Sequence, residues 1–401
     1  MQEQEPVLEF NTGQKVSCVA SFDGQQHPAE IIEKKLDEKN SLLYYVHYTD
    51  CDRRLDEWVE SNKVAQYVPP RQPSINLHLL QNGGDLAASG DLNNIKVTRR
   101  LKRRYEEAYF VPVDEKGDGS HEADHHPVKV KNIKMVEFGR FEMDTWYYSP
   151  FPEPFASQEK LYFCEYTLKY FRKKRTLLRH LAKVCVRHPP GDEIYRSPSP
   201  GTTSIRGAAS DPTISIFEVD GRKAKIYCQN LCLLSKLFLD HKTLYFDVDP
   251  FLFYVLCERD VLGNCHLVGY FSKEKYGIED HNLACILTLP VYQRRGFGRL
   301  LISLAYEISK REGRIGTPER PLSDLGAVSF RSYWIKTLLD QLRFMRGDVA
   351  VKEVSEKTMI HSHDVVETLQ GLGLIKYWRG VHLVHIDPKQ IQELWLKHCG
   401  G

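Results

Sequence analysis

The chain has 401 residues, 42% of them hydrophobic, with 55 basic side chains against 53 acidic ones. That length suggests two or three domains, and the near balance of charge means that any attraction to nucleic acid has to come from local patches. No apolar run reaches the roughly 18 residues needed to cross a bilayer, and the acidic start lacks the apolar stretch of a secretory signal. The ten cysteines are scattered, and several (Cys228, Cys232, Cys257, Cys285) sit in apolar segments, a pattern of reduced thiols rather than a disulfide framework.

In chain order, short apolar stretches at 15–20, 27–34, 42–48 and 57–59 alternate with turn formers such as Asp23-Gly24. They predict a small, strongly curved β-barrel over residues 10–68. Residues 69–129 read as a linker: prolines, a polar Gly-containing stretch, then Lys96, Arg99, Arg100, Lys102, Arg103 and Arg104, then an acidic segment. The basic cluster suits DNA phosphate, and equally a solvated linker or a nuclear-import signal. Periodic structure resumes at Val130 and runs almost to the end. Residues 197–212, rich in Ser, Pro, Gly and Thr, interrupt it as a surface loop.

The most informative stretch is 284–310. Residues 284–289 are apolar, partly β-branched and bounded by Pro290, which predicts a buried strand. Gln293-Arg294-Arg295-Gly296-Phe297-Gly298 follows, and Leu300, Leu301, Leu304, Ala305 and Ile308 then recur at helical spacing, so 299–310 is an amphipathic helix. A strand, a glycine turn and a helix make an anion site because unpaired N–H groups and the macrodipole face outward at the helix start. Gly296 and Gly298 let the backbone approach a phosphate, and Arg294, Arg295 and Arg299 add charge suited to a pyrophosphate. As a bare pattern, a tight turn with a solvated basic face explains these residues as well. Further on, 354–359 and 362–374 read as two helices joined by a short turn, with a strand at 381–386.

Gln-Arg-x-Gly-x-Gly after a strand resembles the acetyl-CoA loop of GNAT-like acetyltransferases. The flanking text resembles the MYST branch of lysine acetyltransferases, its MOF type in particular: residues 240–245, 247–254, 284–290, 316–326 (Gly316-Thr317-Pro318-Glu319-Arg320-Pro321-Leu322-Ser323-Asp324-Leu325-Gly326) and 329–334. The resemblance covers about Val130 to the C-terminus. It implies an α+β fold with a GNAT-like acetyl-CoA-binding core, flanked by finger-like and winged-helix-like segments, beside the N-terminal all-β barrel. Residues 130–397 would form the acetyltransferase domain, divided into 158–190, 214–334 and 335–397.

The same resemblance implies transfer of acetyl from acetyl-CoA to histone tails, histone H4 foremost. It places a general base at Glu319 and gives Cys285 either an acetyl-accepting or a pocket-lining role, of which lining is favoured. Acetyl-CoA would meet the backbone at Ile286 and Thr288, together with Gln293, Arg294, Arg295, Gly296, Gly298, Arg299, Ser323 and Ser332. Lys242 matches a position that relatives acetylate on themselves; by its own chemistry it is an ordinary surface lysine. The bland readings are a solvated glutamate at 319 and a buried, inert thiol at 285.

The finger departs from its pattern. Relatives carry C-x2-C and H-x3-C pairs; here Cys164 and His180 hold two positions, Thr167 takes the second and Val184 the fourth, with Cys185 displaced by one residue. Cys164, His180 and Cys185 remain as metal candidates, with His188 a remote fourth. A structural site wants four ligands, so zinc loss is the favoured reading, with the helix kept by packing of Leu177, Leu178 and Leu181. The first unit resembles a chromo-barrel (tudor-knot), in which Tyr44, Tyr45, Tyr48 and Trp58 offer either an aromatic cage for methyl-lysine or core packing, the latter favoured. DNA or RNA binding by the barrel and the basic cluster, a nuclear location and membership of a multisubunit chromatin complex complete the expectation, with no membrane partner. The rival readings are a weakly active or inactive chromatin-binding paralogue and an acetyltransferase for non-histone lysines.

Overall fold

Alternation dictates the first unit. In strand β1 (Lys15–Val19) Val16 and Cys18 point inward; in β2 (Gln26–Leu36) Ala29 and Ile31 do so; in β3 (Leu42–Tyr48) it is Tyr44, Val46 and Tyr48. With β4 (Glu57–Glu60) and β5 (Val64–Gln66) they form one antiparallel sheet in the order β4-β3-β2-β1-β5. A register shift between Ile31 and Glu33 bends β2 against β3. Period-two burial fills one face, as an antiparallel sheet with one wet side requires; on the other face of β3, Tyr45 is buried as well. The short β5 was not foreseen.

The structure is a computed structural model that describes residues 9–37, 41–67, 130–197, 213–242, 245–277, 279–378 and 381–399. The chain divides into two units at Val130. The expected linker with its basic cluster, and the loop from 198 to 212, lie outside the described residues. Among the described residues no helix is long and apolar enough to cross a membrane.

The second unit is mixed α and β, in agreement with the expected fold class. A four-stranded sheet, β7-β6-β8-β9, opens it: β6 (Met135–Phe138), β7 (Phe141–Asp144), β8 (Lys160–Phe163) and β9 (Tyr170–Phe171). Helix α1 (Lys174–Leu181) follows, so the finger keeps its helix. Leu177 is buried, but Leu178 is 56% exposed and does not take the packing role expected of it. So short a helix carries only one side of its surface to the module's small core, and Leu177 occupies that side.

The central sheet runs β10-β11-β12-β13-β15, all antiparallel: β10 (Asp192–Arg196), β11 (Thr213–Asp220), β12 (Phe251–Arg259), β13 (Cys265–Glu274) and β15 (Cys285–Thr288). Strands β12 and β13 are buried along almost their whole length, which is why they read as continuous apolar runs rather than alternating ones. Val268 is an extra residue on β13, and its carbonyl accepts the N–H of Leu289 at 2.9 Å. Gly269 has no room for a side chain: a Cβ there would stand 2.4 Å from the Leu287 carbonyl oxygen. Helix α2 (Lys225–Lys236) buries Cys228, Leu231, Cys232 and Leu234, while α3 (Phe297–Glu312) packs on β13 and β15. The indole N–H of Trp334 in α4 (Asp324–Leu342) donates to the Tyr306 hydroxyl at 2.7 Å and ties α4 to α3.

A three-stranded sheet, β17-β19-β18, closes the unit: β17 (Gly347–Ala350), β18 (Ile375–Trp378) and β19 (Val381–Ile386). Helices α5 (Val351–Thr358), α6 (Ser362–Gly371) and α7 (Pro388–Cys399) surround it. The two helices and the strand at 381–386 were legible; α7 and the flanking strands were not.

Candidate active site

Strand β15 is the last in its sheet, so one edge has no strand beside it. In an antiparallel ladder, alternate residues bond to the neighbour. Leu289 donates to Val268, and the register pairs Leu287 with Tyr270, so the main-chain groups of Ile286 and Thr288 face the open edge. The Thr288 carbonyl already accepts the side-chain amide of Gln293 at 3.0 Å, which pins the loop to the strand.

That loop turns by left-handed backbone at Arg294 (φ 62°) and Gly296 (φ 86°). Gly296 caps α3 with no side-chain hydrogen bond, which leaves the first-turn N–H groups for an outside acceptor. A non-glycine residue at positive φ is strained, a device common at ligand-binding turns. Arg294 and Arg299 reach into solvent. Arg295 differs: its guanidinium pairs with the carboxylate of Glu258 and lies 4.9 Å from the Phe297 ring centroid. A pair between residues 37 apart leaves no trace in local sequence.

A cavity of about 250 Å³ opens next to this edge. Cys232, Lys242, Phe251, Phe253, Cys285, Ile286, Glu319 and Ser323 all contribute to its wall. Four segments distant in sequence therefore meet there. Glu319 is held from behind, where its N–H donates to the Leu283 carbonyl at 2.8 Å, after the parallel pair β14 (His281–Leu283) and β16 (Thr317–Pro318). Its side chain is open to solvent. Partial loss of hydration pushes its carboxyl above the ordinary range; His281 opposes that rise and Glu274 adds to it.

Cys285 is partly buried, with its N–H on the Ser272 hydroxyl at 3.3 Å. Its sulfur accepts from the Lys242 ammonium at 3.6 Å. Lys242 is 7% exposed, so the surface-lysine reading gives way: this is a buried amine at the foot of the cavity. Burial works against its charge, while Tyr270, Cys285 and Cys232, when ionised, hold its titration above the ordinary lysine range. Ser323 caps α4 by accepting the Gly326 N–H at 3.1 Å, so its hydroxyl has a structural task besides lining the cavity. Ser332 lies exposed on α4 and is not part of this cavity's wall.

One residue of the site had no sequence signal. Arg320 donates to Asp364 at 2.8 Å, across 44 residues, and Asp364 is fully buried at the start of α6. Its second carboxylate oxygen has no partner among the described residues. The turn that carries Glu319 is thus tied to the C-terminal segment through Arg320, which also lies 3.7 Å from the Glu367 carboxylate.

The finger does not present a metal set. His180 Nε2 lies 2.9 Å from the Thr167 hydroxyl, which stands where a second cysteine would. Burial lowers the His180 pKa and Lys169 adds to that, so the neutral ring accepts from Thr167. Cys164 is fully buried, whereas Cys185 is exposed with its sulfur toward the Lys183 carbonyl. His188 is committed elsewhere: Nδ1 bonds the Pro189 carbonyl at 2.8 Å and the ring stacks on Phe217. Cys164, His180 and Cys185 do not converge as ligands, so these residues do not fit a four-ligand zinc site.

In the barrel, Tyr44 and Tyr48 are fully buried; the first accepts the Phe10 N–H and the second donates to Glu57. They are core, while Tyr45 and Trp58 form a ring pair 5.4 Å apart with the Lys35 ammonium 4.1 Å over the indole.

Comparison with known proteins shows three matching families and a set of similar chains. The MOZ/SAS family matches residues 188–399, the MYST family zinc finger domain residues 130–185, and the RNA binding activity-knot of a chromodomain residues 10–66. A protein of Arabidopsis thaliana named histone acetyltransferase of the MYST family 1 is 46% identical over 397 residues, 98% of this chain and 83% of that protein. Histone acetyltransferase MOF of Drosophila melanogaster is 40% identical over 425 residues, 94% of this chain and 50% of that protein. Histone acetyltransferase ESA1 of Eremothecium gossypii is 39% identical over 386 residues, 92% of this chain and 85% of that protein.

Proposed function

The chain belongs to the MYST family of histone acetyltransferases, and from that premise we propose that it moves acetyl from acetyl-CoA onto lysines of nucleosomal histone tails, histone H4 foremost, with Glu319 as general base. The observation that carries this reading is the meeting of Glu319, Cys285 and the open edge of β15 at one cavity.

An attacking lysine must be neutral, and its ordinary pKa of about 10.4 makes neutrality at pH 7 cost about 4–5 kcal/mol. A carboxylate whose own pKa is raised takes that proton more readily than an ordinary one. The lysine nitrogen bonds to the thioester carbonyl carbon as its proton passes to Glu319. The C–S bond then breaks with its electron pair on the CoA sulfur, which is protonated in turn. The N–H groups of Ile286 and Thr288 suit an extended pantetheine arm, because an unpaired edge offers main-chain partners at strand spacing. The first turn of α3, with Arg294 and Arg299, suits the pyrophosphate.

Direct attack is favoured over an acetyl-cysteine route. The Lys242 ammonium beside the Cys285 sulfur would steady a thiolate, but the base at the cavity, Glu319, serves an incoming lysine in one acyl transfer instead of two. Lys242, buried within reach of the same cavity, is the residue for self-acetylation. Residues 10–66 act as the chromatin- or RNA-facing module, 130–185 as a finger fastened by hydrogen bonding, and 188–399 as the acetyltransferase; a nuclear location and a chromatin complex go with these roles.

The test is acetyl transfer from labelled acetyl-CoA to reconstituted nucleosomes and to a tail-less control. Label on H4 tails that vanishes with the tails supports the reading. Label absent from histones and from the protein itself would leave the chain as a chromatin-binding paralogue.

A further inference from the structure

The barrel contains a donor cluster that the acetyltransfer chemistry does not use. His27 opens β2, and Asp50 and Cys51 follow β3 directly. The ladder sets Ala29 opposite Tyr48, and the Thr49 N–H donates to the Pro28 carbonyl at 2.9 Å, which brings the two segments together. Imidazole Nδ1 lies 3.0 Å from the Asp50 carboxylate and 3.7 Å from the Cys51 sulfur, and the sulfur lies 3.4 Å from the other Asp50 oxygen. One donor atom from each residue falls within 4.8 Å of the other two.

We propose that His27, Asp50 and Cys51 form a zinc site on the barrel, with a water in the fourth position. Zinc bond lengths of about 2.3 Å to sulfur, about 2.05 Å to nitrogen and about 2.0 Å to oxygen set tetrahedral edges of about 3.5 Å for S···N, about 3.3 Å for N···O and about 3.5 Å for S···O. The S···N and N···O separations lie within about 0.3 Å of these edges, while the sulfur approaches the other Asp50 oxygen, so an ion would enter once the carboxylate turns to offer one oxygen to it. Thiolate, imidazole and carboxylate together select a borderline cation such as zinc over calcium or magnesium, which want oxygen donors.

A second feature supports the assignment. His27 Nε2, the nitrogen that would not bind metal, lies 2.9 Å from the Asp23 carboxylate. Ligating histidines commonly donate their outer N–H to a carboxylate in this way, which fixes the ring and raises its basicity. Phe22 and Tyr48 pack on the same ring, with centroids 5.4 and 5.8 Å away. The imidazole side chain is 15% exposed and the Asp50 side chain 26%, a site screened from bulk water yet open on one side.

The same distances suit a protonated His27 clamped between two carboxylates, so the experiment has to separate the two. Full-length protein, stripped with chelator, is titrated with zinc and, separately, with cobalt. Metal content is read by mass spectrometry after desalting, and the thiolate-to-cobalt absorption reports on Cys51. The expected result is one ion per chain, retained in the double variant Cys164→Ser/His180→Gln and lost in Cys51→Ser and in His27→Ala. Asp23→Asn should weaken binding by about 10- to 100-fold. Circular dichroism melts show that each variant is folded, and zinc should raise the melting point of the parent but not that of Cys51→Ser. Absence of any bound ion, an ion retained by both barrel variants, or an ion lost with the finger variant would each overturn the assignment.

Discussion

At the cleft, hydrogen bonds fix the three elements to which we assign the chemistry: Cys285 N–H to the Ser272 hydroxyl, Glu319 N–H to the Leu283 carbonyl, and the Gln293 amide to the Thr288 carbonyl. In the finger, the helix and both short strands persist, but Thr167 and Val184 occupy ligand positions, and His180 turns to the Thr167 hydroxyl. Position matters differently in the two regions. A finger-shaped module needs two strands and a helix to stay joined, and here the Thr167–His180 hydrogen bond and a cluster of Cys164, Tyr166 and Leu177 join them. A reacting carboxylate has no such substitute, because its task is to take a proton at one place.

The comparison breaks most sharply at Glu319. Glu319→Gln keeps the shape of the side chain and removes the base; kcat should fall by about 100- to 10,000-fold with little change in melting temperature. Binding of acetyl-CoA, followed by calorimetry, should stay close to that of the parent.

The pH profile sharpens the same point. The Glu319 carboxyl titrates above the ordinary range, so the rate should climb with pH as the carboxylate forms and fall again as the pH drops through that raised value. The acidic limb should be displaced upward from where an ordinary glutamate would put it, and it should be missing from the residual activity of Glu319→Gln.

Arg320→Ala tests whether the tie behind the catalytic turn matters. It strands a buried carboxylate, Asp364, and should lower the stability of the acetyltransferase unit by about 2 kcal/mol, less than for a fully buried pair because the guanidinium is half exposed. Unchanged denaturant midpoints would show that the tie does not support the fold.

Smaller effects are expected at the two peripheral fastenings. Thr167→Val removes the hydrogen bond to His180 and should cost about 1 kcal/mol, read from the melting of the parent against the variant. Zinc should not restore the loss. At the phosphate turn, Arg294→Ala or Arg299→Ala should raise KM for acetyl-CoA up to about tenfold. Arg295→Ala should change it less, since its charge is already spent on Glu258.

Much of this was legible in the sequence, and the exceptions have physical causes. Local patterns carried the barrel strands, the strand-turn-helix over 284–310 and the two helices near 354–374, because burial period and glycine position are local properties. Contacts between distant segments were not legible. Nothing near Arg320 announces Asp364, and nothing near Arg295 announces Glu258. Lys242 reads as a surface lysine until α2, β13 and β15 enclose it. Tyr44 and Tyr48 offered two uses, and only the inward register of β3 separates core from cage. Leu178 was misjudged because an eight-residue helix gives its small core only one side.

The central claim is that Glu319, and not Cys285, carries the chemistry. Acetyl transfer to nucleosomes by the parent, Glu319→Gln and Cys285→Ala, measured side by side in single turnover, tests it most directly. The account predicts near-complete loss with Glu319→Gln, retention of most of the rate with Cys285→Ala, and no acetyl-enzyme trapped on the cysteine by acid quench. A dead Cys285→Ala that still binds acetyl-CoA, with label trapped on Cys285 of the parent, would contradict it.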